Sequence, residues 1–134
     1  MQQANPPHQP PGTHGFTEMV FPERTNHYGT LFGGQALLLM GQAAFVTASR
    51  HARRAVVMAR CSGVDFLAPV PQGQALELQA RVVRSGTSSM TVQVEGAAHD
   101  LATGRLVPAV RGAFEMVAVD AAGRPSPLSP TETP

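Results

Sequence analysis

Between Phe32 and Ala48 the apolar residues leave no polar stripe. Ala36, Leu37, Leu38, Leu39, Met40, Ala43, Ala44, Phe45 and Val46 run right round the circumference of a helix, and no carboxylate falls in the stretch. A surface helix is apolar along one stripe only, so the pattern predicts one long helix that forms the core of its domain. The turn Gly29-Thr30-Leu31-Phe32-Gly33-Gly34 leads into it. From residue 76 the period changes to two. Leu76, Leu78, Ala80 and Val82 alternate with Glu77, Gln79 and Arg81, which predicts a half-buried antiparallel strand. After a turn at Ser85-Gly86-Thr87, Met90, Val92 and Val94 alternate with Thr91, Gln93 and Glu95, which pairs a second strand back as a hairpin. Beyond the loop Asp100 to Gly104, Leu106 to Asp120 forms a third strand, with Val110, Phe114 and Met116 opposing Arg111 and Glu115. Pro108, which lacks an N–H, places the start of that strand at a bulge or an edge.

Val56, Val57, Val64, Phe66 and Val70 mark extended chain that ends at Pro69 and Pro71, and Thr17 to Phe21 is a short first strand. One long helix after a short strand, then about four antiparallel strands, is an α+β layout in which a curved sheet encloses the helix. Residues 1–15 are rich in Pro, Gln and His, and residues 123–134 carry Pro125, Pro127, Pro130 and Pro134. Both are expected to be flexible tails flanking a domain at 16–122. His8 and His14 fall in the first of these and are given no role.

The chain has 134 residues, 43% of them apolar and 14% charged, which suits one domain. A net charge of +1, with every cation an arginine, provides no basic stripe and excludes nucleic acid as a partner. The sole cysteine, Cys61, excludes an intrachain disulfide and a cysteine-based metal site, and fits a reducing cytoplasm. The N-terminal residues lack an apolar leader core. Gln35, Gln42 and glycines break the Leu31 to Ala48 segment, so a soluble protein without a membrane span is expected.

Candidate chemistry gathers at the helix start. Glycines there leave backbone N–H groups approachable, so Gly33 and Gly34 suit a developing oxyanion with the helix dipole behind it, or serve only a tight turn. Asn26 either caps the turn or orients a water or carbonyl through its amide. His27, His51 and Cys61 lie in no nucleophile signature. His51, with Arg50, Arg53 and Arg54, is placed to meet the carbonyls of the helix C-terminus. The same cations with Arg60 and Arg84 would suit phosphates if the fold gathers them.

Thr25-Asn26-His27-Tyr28-Gly29-Thr30-Leu31-Phe32-Gly33-Gly34, then Arg50-His51-Ala52, Val64-Asp65-Phe66, Pro69-Val70, Gly86-Thr87-Ser88-Ser89-Met90 and Val117-Ala118-Val119-Asp120, resemble the hot-dog acyl-CoA thioesterases of the acyl-CoA hydrolase branch. The resemblance spans roughly residues 16 to 125. It implies a sheet wrapped around the helix, a homodimer with further assembly to a tetramer or hexamer, and active sites between subunits. It also implies hydrolysis of acyl-CoA to free acid and CoA without metal or cofactor. In that family a helix carboxylate faces water or the thioester, and an asparagine of the neighbouring subunit positions the reactants. Asn26 matches the asparagine. The carboxylate position, seven residues after Gly34, holds Gly41, which has no side chain to act as base or nucleophile.

Gly41 is explained by close packing, by natural loss of the catalytic group or by a deliberate replacement, and a missing general base slows such reactions by about 10²- to 10⁴-fold. The resemblance therefore implies a weakened hydrolase or, alternatively, a non-catalytic acyl-CoA-binding or sensing protein. Glu23 and Asp65 are the carboxylates available to substitute. Asp65 is expected instead to satisfy backbone or arginine groups, and Glu23 to face solvent. Gln42 lies beside the gap, rotated about 100° round the helix. For the CoA moiety the resemblance points to the turn with Thr87, Ser88 and Ser89 and to Arg54, Arg60 and Arg84; solvated surface charge is the other reading of each arginine.

Overall fold

In the computed structural model, which describes residues 12–128, helix α1 spans Gly33–Ala52. Its buried residues are Ala36, Leu39, Met40, Ala43, Ala44, Thr47, Ala48 and Ala52, a stripe of helical period rich in alanine. Small side chains let the sheet approach the helix closely, while Leu39 and Met40 each contribute about 1.5–3 kcal/mol of burial. The expectation of a helix covered on all sides is corrected: Leu37, Leu38 and Phe45 are 37%, 51% and 49% exposed on the opposite face. The strands cover only one side, so that second apolar face is left bare in the protomer.

Five strands make the cover: β1 His14–Met19, β2 Val56–Phe66, β3 Ala75–Ser85, β4 Ser89–His99 and β5 Leu106–Ala118, in the spatial order β1-β3-β4-β5-β2 and antiparallel throughout. The alternation in the sequence decides which face is inward. Leu76, Leu78 and Ala80 of β3, Met90, Val92 and Val94 of β4, and Val110, Phe114 and Met116 of β5 are buried, with neighbouring polar residues on the outer face. Pro108 marks a bulge rather than an edge. The pairs Gly96↔Val110 and Ala97↔Pro108 leave Ala109 unopposed, and its carbonyl accepts the N–H of Leu67 at 2.7 Å. β2 is an edge strand, and all but Val56, Ser62 and Val64 of its residues are exposed.

The ends differ from the expected tails. β1 begins at His14, and the Nδ1 of His14 is buried without a partner. Burial, then the nearby Arg50 charge, lowers the pKa of its imidazole. At the other end, the Ser126 N–H donates to the Ala118 carbonyl and the Leu128 N–H to that of Thr87, with Leu128 packed on the core. His8 and residues 129–134 lie outside the described residues.

Candidate active site

The site begins with a five-residue loop. Thr25 and Leu31 form an antiparallel bridge, the Asn26 N–H donates to the Thr30 carbonyl at 2.9 Å, and Gly29 takes a positive φ of 79° that L side chains rarely adopt. Inside the loop the Oδ1 of Asn26 accepts from the Tyr28 N–H at 2.9 Å, the Thr30 N–H at 3.3 Å and the Thr30 hydroxyl at 3.2 Å. Backbone N–H donors bond only an oxygen, so they fix the amide orientation and turn the NH₂ of Asn26 away from the loop. The turn role and the orienting role are therefore compatible: the oxygen holds the loop and the nitrogen is left to donate.

Helix α1 starts directly after this loop, with Phe32 as an N-cap residue whose side chain caps nothing. The first helical bond runs from the Ala36 N–H to the Phe32 carbonyl. The N–H groups of Gly33, Gly34 and Gln35 accordingly have no acceptor among the described residues, and no acidic side chain stands in the first turn. Three donors at the positive end of a helix dipole suit an anion or developing oxyanion. Gly34 also lies under the Phe32 ring, which comes within 2.7 Å of where a Cβ would stand.

From Gly34 an apolar groove of about 650 Å³ follows the bare face of α1, bounded by Leu37, Leu38, Gly41, Phe45 and Met58. On the other side of the helix start, Gly33 borders a smaller recess of about 300 Å³ with Thr30, Phe66 and Val70. Gly34 and Gly41 thus share one helix edge along the groove, whereas Gly33 faces the other recess. A Cβ on Gly41 would meet only the Met58 Cε, at 3.2 Å. That neighbour is a flexible side-chain tip, so backbone packing in the protomer does not demand glycine at 41.

The carboxylates considered as substitutes lie elsewhere. Asp65 accepts from Arg111 Nε at 3.0 Å on the sheet, and Glu23 is exposed in a one-turn 3-10 helix. His51 Nε2 is 3.0 Å from Ser85 Oγ, joining the helix end to β3. His27 stacks on Tyr28 with ring centroids 3.9 Å apart, and Cys61 is exposed on β2. Neither is paired into a nucleophile–base arrangement by these contacts.

The residues proposed for CoA form two groups rather than one. Arg84 donates to Thr91 Oγ1 at 3.0 Å, Ser89 Oγ at 3.3 Å and Glu115 Oε1 at 3.1 Å, while Arg60 is the register partner of Glu115. Arg60, Glu115, Thr91 and Arg84 form a row across four strands on the outer face, in which Glu115 offsets part of the cationic charge. Arg54 instead donates to Ser126 Oγ at 2.6 Å and to the Pro127 carbonyl. Thr87 and Ser88 lie between the groups, their carbonyls holding Leu128 and Ala118 respectively. Elsewhere on the sheet, a recess of about 440 Å³ contains Glu77 and His99, 2.9 Å apart, with Glu77 also bound by Thr17.

Sequence reasoning missed Met58. It stands opposite buried Met116 in the β2–β5 register, so it points to the helix side of the sheet. The break between Met58 and Arg60 beside it is a bulge, which locally re-aims an edge strand. A methionine in an apolar run carries no local signal of a contact with a residue seventeen positions away.

A family profile described as the thioesterase superfamily matches residues 28–104. An uncharacterized acyl-CoA thioester hydrolase of Bacillus subtilis is 39% identical over 112 residues, covering 84% of this chain and 65% of its own length. The chain thus spans slightly less than two thirds of that relative. Among solved structures, an acyl-CoA hydrolase from Staphylococcus aureus in complex with butyryl-CoA, CoA and CoA disulfide is 35% identical, with a TM-score of 0.82 over 87% of this chain and 71% of that one. Variants of the same enzyme with an aspartate, an asparagine or a threonine replaced by alanine have also been solved. An apo-hexameric acyl-CoA thioesterase is 37% identical, with a TM-score of 0.84 over 90% of this chain and 81% of that one. Sequence and fold agree, and the chain belongs to the thioesterase superfamily, among its hot-dog acyl-CoA thioesterases.

Proposed function

We propose that this chain binds acyl-CoA and hydrolyses its thioester to free acid and CoA, with water as second substrate and at a rate lowered by Gly41. The observation that carries this reading is a helix start with unengaged N–H groups at Gly33, Gly34 and Gln35, of which Gly34 borders the apolar groove. The groove takes the acyl portion and the N–H groups take the thioester oxygen as it gains charge. Asn26 directs the thioester or water through its free NH₂. Arg54, Arg60, Arg84 and the Thr87-Ser88-Ser89 turn meet the CoA phosphates and polar groups. No resident cofactor enters this reading, because CoA is part of the substrate.

The assembly we infer is a homodimer that joins further into a tetramer or hexamer, with the bare face of α1 and the β2 edge as the contact surfaces. The relatives named above support that kind of partner. The cytoplasm is the proposed setting, on the strength of the single free thiol at Cys61. No helix among the described residues is long and apolar enough to cross a membrane.

Gly41 favours a second reading, an acyl-CoA-binding or sensing protein that keeps the groove without turnover. Thiol release from a panel of acyl-CoAs, measured with the native chain and Gly41→Asp, decides between them. Slow release by the native chain and faster release by the variant is the expected outcome. Equal, substantial rates would assign the chemistry to another residue, and saturable binding without release in both would establish the binding protein.

A further inference from the structure

The apolar groove along the bare face of α1 carries one amide. Leu37, Leu38 and Phe45 are hydrocarbon, Gly41 has no side chain and Met58 offers only a weak acceptor, so Gln42 alone among the described lining residues brings a donor and a strong acceptor. No ionisable side chain lines the groove among the described residues. Pockets of this kind fix orientation and specificity through a few placed polar groups in an apolar wall. Gln42 shares the outward face of α1 with Leu38 and Phe45 and is exposed. Helix propensity does not call for it, since leucine serves an exposed helical position equally well.

Gln42 lies eight residues after Gly34 on α1, about 12 Å along the axis, and its side chain leans back toward the helix start. With a thioester oxygen at the Gly34 N–H, the amide meets an acyl chain several carbons beyond the thioester. We infer that Gln42 is a specificity-determining residue, and that the acyl group taken by this groove carries a neutral hydroxyl or oxo oxygen on its distal part. An amide donates to either oxygen and accepts from a hydroxyl. A carboxylate or ammonium on the acyl chain would find no countercharge in the groove and would be desolvated among hydrocarbon side chains. A plain chain leaves the amide facing hydrocarbon, and that is the source of the discrimination. This inference rests on the acyl-CoA reading above and holds for a hydrolase and a binding protein alike.

Four ligands test it: hexanoyl-CoA, 5-hydroxyhexanoyl-CoA, 5-oxohexanoyl-CoA and 3-hydroxyhexanoyl-CoA, each as the analogue with a methylene in place of the thioester sulfur, so that turnover does not disturb binding. Each is titrated by calorimetry into the native chain, Gln42→Leu and Gln42→Glu. The native chain should bind the 5-hydroxy and 5-oxo ligands about three- to tenfold more tightly than the hexanoyl ligand, with the 3-hydroxy ligand within about twofold of hexanoyl. Gln42→Leu should bring all four within about twofold of one another. Ionised glutamate accepts but does not donate, so Gln42→Glu should keep the preference for the 5-hydroxy ligand and lose that for the 5-oxo ligand. A merely structural role for residue 42 does not produce that split.

Equal affinity of the native chain for the 5-substituted and plain ligands overturns the inference and leaves the acyl-CoA reading intact. So does a preference that survives in Gln42→Leu, or one that extends equally to the 3-hydroxy ligand. Absence of binding of all four ligands by the native chain overturns both.

Discussion

Gly96 shows how closely single atoms are accounted for in this core. A Cβ there would lie 2.7 Å from both Leu78 Cδ2 and Val110 Cγ2, and 3.2 Å from Leu76 Cδ1. These are branched side chains fixed in the sheet interior. Gly96→Ala should therefore cost about 1–3 kcal/mol, read as a lowered urea midpoint, because overpacking forces backbone or rotamer shifts. Gly41 is the opposite case, since the single atom it confronts is a movable methyl. The sequence places both glycines in apolar runs and gives no means of telling them apart. The difference lies in neighbours from other elements. Asn26 was legible as a turn residue and, through the resemblance, as a group for the reactants; that the two uses fall on different atoms of one amide emerged only from the loop's hydrogen bonds.

The elements themselves were largely readable, because each strand between residues 75 and 118 buries one face and leaves the other to solvent. Alternation is a strong signal under that condition. β2 was harder: its edge position leaves Val57, Met58 and Phe66 exposed, so an apolar residue there no longer marks an inward direction. β1 was predicted at Thr17 to Phe21 and lies at His14–Met19, since its pairing with β3 is long-range and its own residues carry little periodicity. At the end of α1, Arg53 takes a left-handed φ of 56° while its N–H donates to the Ser49 carbonyl. That conformation costs a non-glycine residue about 1–2 kcal/mol, partly regained in the unfolded chain by not being glycine. Arg53→Gly should thus stabilise the protein by about 0.5–1 kcal/mol and raise its Tm by a few degrees in calorimetry. An unchanged or lowered Tm would mean that the arginine side chain contributes as much as its backbone loses.

At the scale of the whole molecule, the all-round apolar helix proved to have one face for the sheet and one left bare. The pattern announced that both faces need cover; the protomer supplies only the first. Leu38→Asp should leave the circular dichroism spectrum unchanged, because Leu38 is 51% exposed, and should shift the sedimentation coefficient toward that of the protomer. An assembly unaffected by this charge would show that the bare face is not the contact surface. The strand order carries a consequence for the protein's synthesis. β2 is complete at Phe66, yet its one partner strand among the described residues, β5, is complete at Ala118. A ribosome adding about 5–20 residues per second needs roughly 3–10 s to make that interval. Throughout it the nascent chain holds β2 as an unpaired strand, an open edge that is closed only when β5 is made.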